Sequence, residues 1–220
     1  MIADPVSYLN DLVISLSRQW PGNRTTNIVC HGHSVPAGYF ATPYVNTLAA
    51  YPHQVLEQLK ERFPFAVINV IVTAIGGENS EQGAERFEAE VLCHRPDVIT
   101  IDYALNDRGI GLERAEAAWR SMIETALHRP VKLILLTPTL DQFGLRSGDP
   151  ATDEDLDRHA EQVRRLAGEY NLGLGDSQAA FKRHITNGGH LFDLLSHVNH
   201  PNRFGHQLVA QEILKYFPAQ

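Results

Sequence analysis

Cysteine is nearly missing from this sequence: Cys30 and Cys93 are its only two. Each stands in or beside an apolar stretch, so they read as reduced packing residues; a disulfide framework and a zinc site built of thiolates are both excluded. Long apolar runs are absent as well. No stretch reaches the roughly 18 residues needed to span a bilayer, and the N-terminal MIADPVSYLN lacks a basic segment followed by an apolar one. The expected setting is the cytoplasm, with no membrane partner. Basic clusters are missing too: 19 Lys and Arg are scattered in ones and twos among 26 Asp and Glu, for a net charge of −7. Such a chain has no face to hold a phosphate backbone, which argues against nucleic acid. There is no GxxxxGK[ST], Gly173-Leu174-Gly175 lacks the third glycine of a dinucleotide fingerprint, and no GxSxG marks a nucleophile elbow.

What is present is an alternating pattern. With 220 residues, 43% of them apolar, the chain suits one substantial core, a single domain over 1–220. Four short Val- and Ile-rich runs, Ile28 to Cys30, Ala66 to Val72, Val98 to Tyr103 and Val131 to Leu136, read as buried parallel strands, and Asn171 to Gly175 as a weaker fifth. Between them apolar residues recur at helical spacing: Ala84, Phe87 and Val91; Ala115, Trp119, Met122, Ile123 and Ala126; Leu156, Ala160, Val163 and Ala167. The third of these helices is expected from about Thr152, with Thr152 and Asp155 as a capping pair, and Asn79 with Gln82 looks like another cap. Leu9, Leu12, Val13 and Leu16 suggest an N-terminal helix; Leu208, Val209, Ile213 and Phe217 a C-terminal one. The sum is a three-layer α/β/α sandwich of doubly wound type. The longest loop, Thr137 to Ala151, is rich in Gly, Pro and Asp, a place where sites are often shaped.

In an open parallel sheet ligands gather beyond the carboxyl ends of the strands, so chemistry is sought just after each apolar run. After the first comes Cys30-His31-Gly32-His33-Ser34, a hydroxyl leaving a strand beside a glycine. After the second, Gly76-Gly77-Glu78-Asn79-Ser80 offers backbone N–H groups to a ligand. After the third, Ala104-Leu105-Asn106-Asp107 offers a carboxamide. Ahead of the last helix, His197-Val198-Asn199-His200-Pro201-Asn202 supplies an imidazole able to take a proton near neutral pH. The spacing of His31, His33 and His197 matches no metal-ligand motif, which argues against a metal site there.

GHS, GGENS, ALND and HVNHPN, in that order and across nearly the whole chain, resemble the conserved blocks of SGNH/GDSL hydrolases, whose usual forms are GDS, a block-two glycine, GxND and DxxHPN. The resemblance implies a flavodoxin-like fold with a five-stranded parallel sheet and a serine esterase needing no metal or organic cofactor. It implies Ser34 as nucleophile and first oxyanion donor, Gly77 and Asn106 as further oxyanion donors, and His200 as general base. Two departures stand out: His33 replaces the block-one Asp, and His197 replaces the Asp three residues before the catalytic His. The base could then be oriented by a backbone carbonyl near His197, by the His197 ring, or by Asp193, with the carbonyl preferred. Asp107 and Arg108 are either an exposed pair or residues of the pocket mouth. The expected substrate is a small-molecule ester, a small acyl group on a polar or carbohydrate alcohol. That preference rests on the lack of a long apolar lid and on Glu78, Asp107, Arg108 and Asp141 near the blocks. The alternatives are a catalytically silent binding module and an acyltransferase using the same site. A monomer or small homo-oligomer is expected.

Overall fold

The computed structural model describes residues 1–218. Its elements run α1 (Asn10–Leu16), β1 (Thr25–Gly32), α2 (Ser34–Ala37), α3 (Tyr51–Arg62), β2 (Val67–Val72), α4 (Ser80–Glu85), α5 (Phe87–Glu90), β3 (Val98–Asp102), α6 (Leu112–Leu127), β4 (Lys132–Leu136), α7 (Phe143–Ser147), α8 (Pro150–Glu169), β5 (Gly173–Gly175), α9 (Ser177–Thr186) and α10 (Arg203–Leu214). The strands form one parallel sheet in the order β2-β1-β3-β4-β5. The direction of winding reverses between β1 and β3, and their ends meet where Gly32 pairs with Asp102. Such a switch point opens a crevice at the carboxyl edge.

Side-chain alternation along each strand divides the core in two. Ile28, Cys30, Val98, Ile134 and Leu136 face α1, α3, α9 and α10. Val29, Ile99, Ile101, Leu133 and Leu135 face α5, α6 and α8, where Trp119 and Phe87 are almost wholly buried. Three central strands buried on both faces explain why the sequence shows continuous apolar runs rather than alternation. The outer strand β2 departs from that reading: it is a half-exposed edge, with Val67 and Val72 open to solvent. The fifth strand is shorter than expected. At Gly175 a Cβ would collide with Leu136 Cδ2, and at Gly173 it would come within 2.9 Å of Ile134 Cγ1, so this edge packs backbone against the side chains of β4.

Two local expectations need correction. The cap of α8 is Asp149, whose Oδ1 accepts from Ala151 N at 3.0 Å, with Pro150 as the first helical residue; Thr152 and Asp155 already lie inside the helix. The long loop between β4 and α8 carries a short helix of its own, α7. The cap on α4 is as the sequence suggests: Asn79 Oδ1 accepts from Glu81 N and Gln82 N, and Gln82 Oε1 accepts from Asn79 N.

Candidate active site

Ser34 opens α2 directly beyond β1. The turn depends on Gly32, because a Cβ there would strike the Asp102 carbonyl of the neighbouring strand and Pro36. His33 caps the helix, its Nδ1 accepting from Val35 N at 3.2 Å. Ser34 is 6% exposed and its Oγ lies 3.0 Å from His200 Nε2. His200 comes from the segment before α10, 166 residues further along the chain.

That segment is held by its own backbone. Ser196 donates to the His200 carbonyl through N (2.9 Å) and Oγ (3.1 Å). Asn202 caps α10 through Phe204 N and Gly205 N and donates its Nδ2 to Asp193 O at 2.8 Å. The asparagine of the HPN motif therefore fixes the loop and does not face substrate. His200 Nδ1 lies 2.7 Å from the Phe40 carbonyl, and since a carbonyl only accepts, Nδ1 carries the proton. Nε2 is then bare and faces the Ser34 hydroxyl. Burial lowers the His200 pKa, with the Phe40 carbonyl opposing it, so the ring is a free base at neutral pH.

A backbone carbonyl thus orients the base, but it belongs to Phe40 and not to the chain near His197. The His197 side chain is exposed. Asp193 is 47% exposed and is engaged by His184 Nε2 at 3.1 Å and His190 N at 2.8 Å, turned away from the site. Neither side chain is hydrogen-bonded to His200. His33 lies closer: its Nδ1 is 3.4 Å from Ser34 Oγ, and its buried Nε2 stands 3.5 Å from Asp102 Oδ1 without forming a hydrogen bond. Asp102, 4% exposed at the end of β3, was not singled out by sequence reasoning. The signal was a carboxylate closing the apolar run Val98-Ile99-Thr100-Ile101.

The loop after β2 is drawn across the end of β1, with Ile75 N donating to Gly32 O at 3.0 Å. Gly77 has φ +87 and open space above its Cα, a conformation suited to glycine. Asn106 donates Nδ2 to the Glu78 carbonyl at 2.8 Å, which leaves its second amide hydrogen free. Glu78 is in turn clamped by Arg86, whose Nε lies 3.0 Å from each carboxylate oxygen, and by Tyr103 Oη at 3.2 Å. His31 belongs to the same network. Its ring meets Thr73 Oγ1 (3.0 Å), Gly83 O (3.1 Å) and Tyr103 Oη (3.2 Å), and burial with Arg86 nearby lowers its pKa to about 4. Among the described residues no group of three His, Cys, Asp or Glu is arranged to hold a metal.

Asp107 and Arg108 separate. Asp107 is fully buried, neither an exposed partner nor a pocket residue: it accepts from Ser80 N and Trp119 Nε1, both at 2.7 Å, and so ties α4 to α6. Arg108 does face a cavity of about 770 Å³, shared with Asn106, Phe143, Asp155, Arg158 and Asn199. Its guanidinium is paired to the buried Asp141 and lies 5.5 Å from the centroid of the Phe143 ring.

A doubly wound sheet that brings a serine hydroxyl against a neutral histidine at its switch point has the arrangement expected of a hydrolase. Residues 30–208 match the model of the GDSL-like lipase/acylhydrolase family, and the chain belongs to that family. It is accordingly a carboxylic ester hydrolase, with no described helix long and apolar enough to cross a membrane. An acetylxylan esterase of Geobacillus stearothermophilus is 25% identical over 177 residues, covering 75% of this chain and 79% of that protein. The crystal structure of an acetylxylan esterase from the same organism superposes with a TM-score of 0.76 at 23% identity, covering 89% of this chain and 95% of that one. An α/β hydrolase enzyme from the metagenome of Lake Arreo, Spain, superposes with a TM-score of 0.73 at 22% identity over 87% and 94% of the two chains. These likenesses agree on the fold.

Proposed function

We propose that the protein cleaves small acyl groups from a polar or carbohydrate alcohol through an acyl-enzyme on Ser34. The observation that carries this reading is the 3.0 Å contact between Ser34 Oγ and His200 Nε2, with His200 Nδ1 fixed on the Phe40 carbonyl at 2.7 Å. Ser34 Oγ attacks the ester carbonyl while Nε2 takes its proton. The tetrahedral oxyanion is met by the N–H groups of Ser34 and Gly77 and by Asn106 Nδ2. Collapse expels the alcohol, which takes the proton from Nε2, and a water activated by the same nitrogen then frees the acid. The chemistry is complete with these groups and calls for no metal or organic cofactor. The dyad works without a carboxylate on Nδ1; the Phe40 carbonyl keeps the tautomer and supplies a partial negative charge to the imidazolium. The alcohol preference is supported by the curated relative, an acetylxylan esterase, and by the polar cavity beside Asn106. A monomer or small homo-oligomer in the cytoplasm suffices for this role.

Covalent labelling by a small fluorophosphonate, read by intact mass, is the direct test. Wild type should gain one adduct, and Ser34→Ala and His200→Ala should gain none. A folded wild type that stays unlabelled would sink the mechanism and favour a silent binding module. Product analysis with a sugar acceptor present separates hydrolysis from acyl transfer to an alcohol.

A further inference from the structure

The cavity beside Asn106 is built from one end of β3, the α7 segment and the first turns of α8, and two of its residues adjoin the chemistry. Asn106 is the proposed oxyanion donor, and Asn199 directly precedes His200. Gln142 N donates to Val198 O at 2.9 Å, so the α7 segment is stitched to the His200 loop. An ester carbonyl bound at Ser34 would therefore direct one of its two substituents into this space.

Its walls say which substituent. Phe143 is 41% exposed, and its ring is steadied by the Arg108 guanidinium, itself locked onto the buried Asp141. That gives a rigid apolar face in an otherwise polar wall. Opposite charges cancel around it: Arg108 is neutralised by Asp141, and Arg158 stands 3.2 Å from Asp155. A phosphate or carboxylate would find no unpaired cation there. A long acyl chain would have to strip water from Asp149, Asp155 and Arg158 with nothing returned. One turn along α8 from Asp155, His159 is 1% exposed and neither ring nitrogen has a hydrogen-bond partner. Arg108, Asp155 and Arg158 are the charges acting on it, and burial keeps it neutral. An uncharged, polyhydroxylated ring with one apolar face matches such a wall, since its C–H face covers the aromatic ring and its hydroxyls bridge the paired charges.

We infer that this cavity is the alcohol-side subsite and that it binds a neutral saccharide, stacked on Phe143 and hydrogen-bonded by Arg158, Asp155 and Asn199. The inference rests on the reading of Ser34 as the acyl-accepting nucleophile. Its volume, about 770 Å³, is well above what a single sugar ring fills, so an oligosaccharide is favoured over a monosaccharide.

The test compares wild type, Phe143→Ala and Arg158→Ala on acetylated xylotriose and on methyl acetate, with unacetylated xylotriose titrated separately and followed by NMR. Arg158 is 62% exposed on its side chain and touches none of the reacting groups, so its variant guards against a mere folding defect in the other. Expected is a rise in KM for the saccharide ester of about tenfold in each variant, with kcat/KM for methyl acetate, whose alcohol is too small to reach Phe143 or Arg158, within twofold and a matching loss of xylotriose binding. Equal losses on both substrates, or none on either, overturn the subsite. So does tighter binding of octanoate or glucose 6-phosphate than of xylotriose. If wild type turns over neither ester yet binds xylotriose in a Phe143-dependent way, the nucleophile reading fails and the subsite stands. If it turns over methyl acetate and ignores xylotriose, the subsite alone fails.

Discussion

At the residue scale the site departs from its family pattern in how His200 is held. His197 stands where an Asp is usual, but its side chain is exposed, and Asp193 is engaged by His184 and the backbone of His190. His197→Ala and Asp193→Ala should each leave kcat/KM within about threefold of wild type, because neither side chain is hydrogen-bonded to the His200 ring; a loss of about a hundredfold or more in either would restore a side-chain partner to the mechanism. Asn106→Ala is different. It removes the donor proposed above for the oxyanion and, on that proposal, should lower kcat by about 10²–10³ with little change in KM. Steady-state kinetics on an aryl ester separates the two parameters. Asp102, buried 3.5 Å from His33 Nε2, places a carboxylate on the strand end and not on the His200 loop. Family resemblance and strand-end position point in the sequence to Ser34, Gly77, Asn106 and His200, and of these the structure brings Ser34 and His200 into direct contact. Phe40 was not legible there, since its part is played by a main-chain carbonyl that any residue would carry.

At the scale of elements, the His200 segment is a loop pinned by a helix cap. Asn202 accepts from Phe204 N and Gly205 N and donates to Asp193 O, so one side chain starts α10 and closes the turn that presents His200. Asn202→Ala should cost about 1–2 kcal/mol of stability and lower activity further than that loss explains, through misplacement of the imidazole. Urea unfolding set beside kcat on the same preparations would show it; unchanged kcat in a destabilised variant would mean that the loop holds His200 without the cap. Elements also mark where pattern reading slipped. The α8 start was placed at Thr152, although Asp149-Pro150 is the stronger start signal, because apolar periodicity was weighed ahead of the cap. The helix expected from Ala84 to Val91 is broken at Arg86 into α4 and α5. There the guanidinium is drawn to Glu78, a tertiary contact that helical spacing does not encode.

For the whole molecule, the buried histidines set the response to acid. Burial lowers the pKa of His206 to about 3 and of His31 to about 4, and lowers His159 and His200 as well. Each stays neutral when folded at a pH where the unfolded chain, titrating near the ordinary value of about 6.5, takes up a proton. The unfolded state binds more protons in that window, so stability is full above it and falls as pH drops from about 6.5 toward 4. The slope is about 1.4 kcal/mol per pH unit for each histidine fully inside the window. Urea midpoints at pH 7.5 and pH 5 should differ in that sense, and equal midpoints would show that these rings are solvated or charged in the native state. Activity should hold into mildly acidic pH before falling, because His200 remains a free base below the usual histidine range.

The sequence by itself determined the layered α/β architecture and the strands of its parallel sheet, and it pointed to the strand ends as the place to seek chemistry. Apolar runs buried on both faces must pack between helices, and glycine, serine and asparagine beyond them have few other reasons to recur in that order. Only the tertiary structure decided what orients His200, that Asp107 is a buried staple between α4 and α6, and that α7 brings Phe143 beside Arg108. Each of these depends on groups brought together from distant parts of the chain, 160 residues apart for His200 and Phe40. One of the partners is a main-chain atom, and no composition or spacing distinguishes a carbonyl that will be used from the others along the chain.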